Sequence, residues 1–225
     1  YSCRSIVKRY HYCKAYFNHF HLLKESNIDS TKRKYMGSII EKVTENIWKL
    51  KANSNIYFLD FDKKILIDAG DRSKRNIVKK YLSKVVDFSD IDIVIFTHLH
   101  YDHIGNFDLF ENAKFYASDQ AIKDFENNSK ETILREDIAE KFNDIDLNSL
   151  PGSIEGLEII PTPGHTRGSV CIWYEKEKIL FSGDTLFFNK NIGRLDLPTS
   201  SPKNMRRSLM NLIKYNYKIL CPGHG

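Results

Sequence analysis

Within six consecutive positions, 98 to 103, the chain carries three histidines and an aspartate: His98, His100, Asp102 and His103. Imidazole nitrogens and carboxylate oxygens at that density are the donor set of a transition-metal site. In an extended backbone, residues two apart point the same way, so His98 and His100 can face one ion. A turn beginning at Asp102 then offers Asp102 and His103 to a neighbouring position. One short loop can therefore serve two metals. A polar loop of solvated histidines is the competing reading, and it fits the ligand types and their spacing less well.

The remaining histidines follow the same logic. From Met36 onward there are five: His98, His100, His103, His165 and His224. Each lies at or just past the end of an expected strand. An apolar run over 91–96 enters the ligand loop, and a strand over 157–160 enters Pro161-Thr162-Pro163-Gly164-His165, whose prolines and glycine fix a turn. Another over 217–221 enters Pro222-Gly223-His224. The strand over 178–181 ends at Ser182-Gly183-Asp184, and that over 65–68 at Asp68, so acids stand at strand ends as well. Histidine used as filler would scatter. Singly, His165 or His224 reads as a turn residue; jointly, with Asp184, they read as ligands of a shared cluster. Asp68 either caps the helix that follows or buttresses a ligand from behind.

To position these groups the sequence offers a β-rich framework. Strands are expected over 47–51, 55–60 and 65–68, with a turn at 61–63, then a helix over 73–84. A short strand over 114–117 and a helix over 119–126 come next. Residues 127–156 are polar and weakly periodic, and read as a surface excursion or substrate-facing loop with a helix over 137–142. Strands over 170–174 and 178–181 form a hairpin, and a helix spans 201–214 with Pro202 in its first turn.

With 225 residues the chain suits one sizeable domain. Its net charge of +5 is unevenly placed. Residues 1–35 hold eight Lys and Arg against Glu25 and Asp29, a net +6, which leaves the remainder at −1. The body therefore does not read as a nucleic-acid binder. We read 1–35 as a basic, aromatic leader, targeting segment or tail outside the fold, with the catalytic unit over 36–225. Cys3, Cys13, His19 and His21 match no usual zinc-finger spacing. Cys171 and Cys221 complete four cysteines without a disulfide pattern, which suggests a reducing compartment, and we expect a cytoplasmic enzyme. No apolar stretch approaches the roughly 20 residues of a membrane span.

Five motifs in order, Ile67-Asp68-Ala69-Gly70, His98-x-His100-x-Asp102-His103, Gly164-His165-Thr166, Ser182-Gly183-Asp184 and Pro222-Gly223-His224, resemble those of the metallo-β-lactamase-fold hydrolases, and within them the glyoxalase II-like group. The resemblance covers about 39–225. It implies an α/β, four-layer αβ/βα sandwich of two mixed sheets with helices outside. It also implies two divalent metal ions, zinc first, with iron or manganese as alternatives. One would be held by His98, His100 and His165, the other by Asp102, His103 and His224, with Asp184 bridging. The implied reaction is hydrolysis of a small-molecule ester or thioester, with Asp102 orienting the nucleophile or receiving its proton. Asp184 stands where the best-known zinc β-lactamases have cysteine, and His100 where flavodiiron proteins have glutamate; both branches are disfavoured. The segment Gly193-Arg194-Leu195-Asp196 resembles a turn of small glyoxalase II-like proteins and persulfide dioxygenases. There Arg194 either meets an anionic substrate end or pairs with Asp196. A single-iron persulfide dioxygenase using His98, His165 and Asp184 is the alternative; an RNA-processing nuclease comes third. The glutathione-gripping helical domain of glyoxalase II has no counterpart here, and the sequence stops at a motif where relatives usually continue, which suggests a truncated C-terminus.

Overall fold

Side chains on a strand alternate between faces, so a strand apolar at every position must be covered on both. That condition builds the layers here. The computed structural model describes residues 39–225. The basic segment 1–35, with Cys3, Cys13, His19 and His21, lies outside them. In chain order the elements are β1 (Ile40–Thr44), β2 (Ile47–Ala52), β3 (Ser54–Asp60), β4 (Lys64–Ile67), α1 (Arg75–Leu82), β5 (Ile93–Ile95), α2 (Tyr101–Ile104) and β6 (Lys114–Ala117). There follow α3 (Asp119–Asn127), α4 (Ser129–Ile133), α5 (Glu136–Phe142), β7 (Leu147–Ser149), β8 (Ser153–Ile154) and β9 (Leu157–Pro161). The chain closes with β10 (Val170–Tyr174), β11 (Ile179–Gly183), α6 (Pro202–Leu212) and β12 (Ile219–Pro222).

The strands form two mixed sheets, ordered β1-β2-β3-β4-β5-β6-β7 and β12-β11-β10-β9-β8. In the first, β1 to β4 run antiparallel and β4 to β7 parallel. In the second, β11 and β12 are parallel and the others antiparallel. Tyr57, Leu59, Ile65, Ile67, Ile93 and Ile95 meet Ile172, Ile179 and Phe181 between the sheets. Their sequence neighbours Ile56, Phe58, Leu66 and Val94 face outward onto Val78 and Leu82 of α1 and onto Ile138 and Phe142 of α5. On the far side Cys171, Trp173 and Leu180 pack on Leu212 of α6 and on Tyr215. This is the helix–sheet–sheet–helix sandwich expected.

The structure departs from the sequence reading in three places. β1 was not anticipated; a register shift between Lys42 and Thr44 breaks its period, so no clean alternation marks it. Residues 127–156 hold the expected helix, α5, but also α4, β7 and β8 where a loop was expected, short elements anchored by Ile133, Ile138, Ala139 and Phe142. The regular part of the expected 91–96 strand is only Ile93–Ile95, flanked by backbone bonds from Asp92 N to Lys64 O and from Phe96 N to Tyr116 O. Among the described residues no helix is long and apolar enough to cross a membrane.

The predicted ligands and Asp68 fall on one edge, at strand ends: Asp68 after β4, 98–103 after β5, His165 between β9 and β10, Asp184 after β11 and His224 after β12; Arg194 lies in the segment between β11 and α6. Backbone bonds join the sheets there, from Val170 N to Thr97 O (2.9 Å) and from Asn55 N to Gly223 O (2.7 Å). Beneath the ligand helix α2, Arg72 and Arg75 both donate to Asp108 Oδ1 at 2.6 Å, and Arg72 also reaches Gly105 O at 3.3 Å. Although partial burial opposes it, the two guanidiniums hold the Asp108 carboxyl below its ordinary 3.8. Its contribution is therefore present above pH 3.8 and lost as pH falls through the lowered value. Asp108→Asn should lower unfolding free energy by about 1 kcal/mol at pH 7, and urea titrations should show the gap from wild type closing below about pH 3.8.

Candidate metal centre

Strand β5 carries the chain to the site edge and stops, and the next residues turn outward. His100, extended at φ −69° and ψ 148°, is the N-cap of the one-turn helix α2, whose first turn presents Asp102 and whose last presents His103. The carbonyl of Asp102 accepts from the Ser54 hydroxyl of β3, which ties that turn to the first sheet.

Most of the five imidazoles are pinned through Nδ1. His103 Nδ1 donates to Asp68 Oδ2 (2.8 Å), His165 Nδ1 to Arg194 O (2.8 Å) and His224 Nδ1 to Asn53 O (3.0 Å). Thr97 Oγ1 donates to Asp68 Oδ2 (2.9 Å) and accepts from His98 Nδ1 (3.1 Å). An acceptor on Nδ1 takes that nitrogen's proton, so in the neutral ring Nε2 bears the lone pair, and these four rings turn Nε2 inward as ligand atoms. His100 presents Nδ1 instead, 2.9 Å from His165 Nε2.

Three groups of donor atoms each lie within 4.8 Å of one another: His98, His100 and His165; His98, His103 and Asp184; Asp102, His103 and His224. Asp184 stands between them, with Oδ1 3.3 Å from His103 Nε2 and Oδ2 3.4 Å from His165 Nε2 and 3.5 Å from His224 Nε2. Asp102 Oδ2 is 3.3 Å from His224 Nε2. On the inward side of the shell, His98 Nε2 and Asp184 Oδ1 are buried with no hydrogen-bond partner. Orphaned polar atoms at the centre of a shell that is otherwise hydrogen-bonded are what a bound cation satisfies.

Electrostatics divides the histidines. Burial, reinforced by neighbouring imidazoles, pushes His98 well below the ordinary 6.5 and His100 down to about 3; burial lowers His165 too. For His103 burial acts the same way but is outweighed by Asp184 and Asp68, and the ring is raised well above 6.5. His224, opposed by burial and favoured by Asp102 and Asp184, is raised to about 9. Burial would raise Asp184, yet the facing His103 holds it well below 3.8.

Asp68 sits at φ 60° and is 2% exposed. It accepts from Thr97 N (2.8 Å), Thr97 Oγ1 and His103 Nδ1, while Asp71, not Asp68, caps the turn before α1 by accepting from Ser73 N (2.8 Å). Arg194 pairs with Asp196 through Nε–Oδ1 and Nη2–Oδ2, both 3.0 Å. Four contributors had no assigned role in the sequence reading: Thr97, Asn53, Gly193 and Gly223. A Cβ on Gly223 would overlap Asp184 Oδ1 and His103 Cε1, and one on Gly193 would overlap Asp184 O and His165 Nδ1. Glycines beside the site motifs were the available signal.

The profile of the Metallo-beta-lactamase superfamily matches residues 51–224. This chain belongs to that superfamily. It is 36% identical over 187 residues to a probable metallo-hydrolase of Methanocaldococcus jannaschii, covering 77% of this chain and 88% of that one. A probable metallo-hydrolase of Streptococcus pyogenes is 29% identical over 209 residues, covering 84% and 85%. Among solved structures, the fold is similar to that of TTHA1623, crystallised in a di-iron-bound form, with a TM-score of 0.61 and 24% identity over 78% of this chain and 89% of that one.

Removing the Asp68 carboxylate would leave His103 and Thr97 without their acceptor in a buried setting. Asp68→Ala should destabilise the fold by about 3 kcal/mol and weaken metal binding by roughly 10–100-fold, read by thermal unfolding and by competition with a chromogenic chelator.

Proposed function

We propose that this chain is a glyoxalase II-like, dinuclear metal-dependent hydrolase of a small ester or thioester. The observation that carries this reading is the pair of donor sets, His98/His100/His165 and Asp102/His103/His224, with Asp184 reaching toward both. Imidazole and carboxylate donors suit zinc, and also iron or manganese; we assign zinc. Bound there, divalent ions supply Lewis acidity, acidifying water and polarising an ester carbonyl.

The chain's own groups complete the chemistry. Asp184 links the two sets, so that the substrate carbonyl and the attacking water meet in a fixed relation. Asp102, at the floor of the cleft, takes the proton released as water attacks and returns it to the leaving group. Asp68, the Arg194 carbonyl and the Asn53 carbonyl hold His103, His165 and His224 in one tautomer, so the donors need not reorganise during turnover. The single-iron alternative draws on His98, His165 and Asp184, which also face one another, with Asp184 Oδ2 3.4 Å from His165 Nε2, so the number of ions bound per chain separates the two readings. The similarity to the probable metallo-hydrolases and to a protein solved with two irons supports the hydrolase reading and the paired site.

Metal-loaded protein should hydrolyse S-acylglutathione thioesters or p-nitrophenyl esters. Asp184→Ala should lose activity and metal together, and retention of both would overturn the bridging role. Asp102→Asn should lower kcat by about 100-fold or more, in steady-state assays at matched metal content.

A further inference from the structure

The cleft above the donor cluster has an unusual wall. Its volume is about 290 Å³, at the small end for ligand sites. The donors form its floor, and four half-buried apolar side chains, Tyr101, Leu134, Phe187 and Leu197, form its sides. Leu134 has φ 66° and ψ 11°, a left-handed conformation at the C-cap of α4, where its N–H closes the helix onto Lys130 O at 2.9 Å. Glycine is the usual residue there, and a leucine costs about 1 kcal/mol or more. The surrounding packing over-determines that geometry, because buried Ile133 on one side and Ile138 and Phe142 on the other anchor α4 and α5 in the core. A side chain held in an unfavourable conformation facing the cleft points to use.

The rim charges narrow the chemistry. Arg194 is bidentate to Asp196. Arg135, which lies 5.5 Å from the Tyr101 ring centroid, is bidentate to Asp137 at 2.8 and 2.7 Å. Each guanidinium at this rim pairs through its Nε–Nη2 edge with a carboxylate that offsets its charge, which weakens its pull on an anionic substrate end.

We propose that Leu134, with Tyr101, Phe187 and Leu197, forms an acyl subsite that receives a short, uncharged, apolar acyl group. The proposal rests on the hydrolase reading and names its substrate class. The acyl carbonyl lies over the donor cluster while the chain packs under Leu134, so each added methylene gains contact until the cleft is full.

The test compares wild type with Leu134→Gly, a substitution that relieves the left-handed strain and should leave melting temperature and metal content unchanged or raised. On p-nitrophenyl acetate, butyrate and hexanoate, kcat/KM of wild type should rise roughly tenfold or more along the series, and Leu134→Gly should flatten the rise by about tenfold. Calorimetric titration of the metal-loaded protein with acetate and hexanoate reads the same subsite without turnover. Hexanoate should bind wild type more tightly than acetate, and Leu134→Gly should reduce the difference by about tenfold. Equal binding of the two acids by wild type, or a preference undiminished in Leu134→Gly, would overturn the subsite. Failure to cleave any ester or thioester while the hexanoate preference holds and falls in Leu134→Gly would overturn the hydrolase reading and leave the subsite standing.

Discussion

One buried carboxylate holds the ligand loop in place. Asp68 accepts from Thr97 N, Thr97 Oγ1 and His103 Nδ1, and is almost without solvent contact. A buried carboxylate is tolerated only when its acceptor capacity is filled, so Thr97 and His103 have little freedom to move away. Thr97 then orients His98 through its hydroxyl, and its carbonyl accepts from Val170 of the second sheet. Ligand tautomers, loop path and sheet-to-sheet junction thus share one anchor. The anchor itself sits at a positive φ, a strain that its hydrogen bonds offset.

The sandwich exists to make that edge rigid. Two sheets buried on both faces place five strand ends side by side, and the side chains just beyond them converge without a long loop to position any of them. Asn55 Nδ2 and Tyr57 Oη both donate to Pro222 O at 2.8 Å, so the first sheet also fixes the turn that carries His224. Close packing extends to the backbone, where Gly193 and Gly223 leave no space for a Cβ beside the donors.

Much of this was legible in the sequence. The core strands are continuous apolar runs that break off at a histidine or aspartate, and that abrupt change marks both the strand end and the site residue. The hairpin strands, and a helix expected over 201–214 and found over Pro202–Leu212, followed from periodicity and turn residues. What was not legible depends on segments distant in the chain. Asp68 and Asp71 both lie between β4 and α1, and only the packed structure assigns the cap to Asp71 and the buttress to Asp68. The Asn53 carbonyl meets a histidine 171 positions away, a relation with no local signature. A bulge hid β1, and within 127–156 the five-residue helix Ser129–Ile133 was too short to show a period, whereas the helix ending at Phe142 was visible. Leu134 gave no warning of its conformation, because the usual glycine signal is absent.

Whether the cluster holds a pair of ions decides what chemistry this edge can perform. Elemental analysis of the protein after saturation with zinc and removal of excess measures this most directly. We predict about two ions per chain. A plateau at one ion, or none retained, would contradict the paired site.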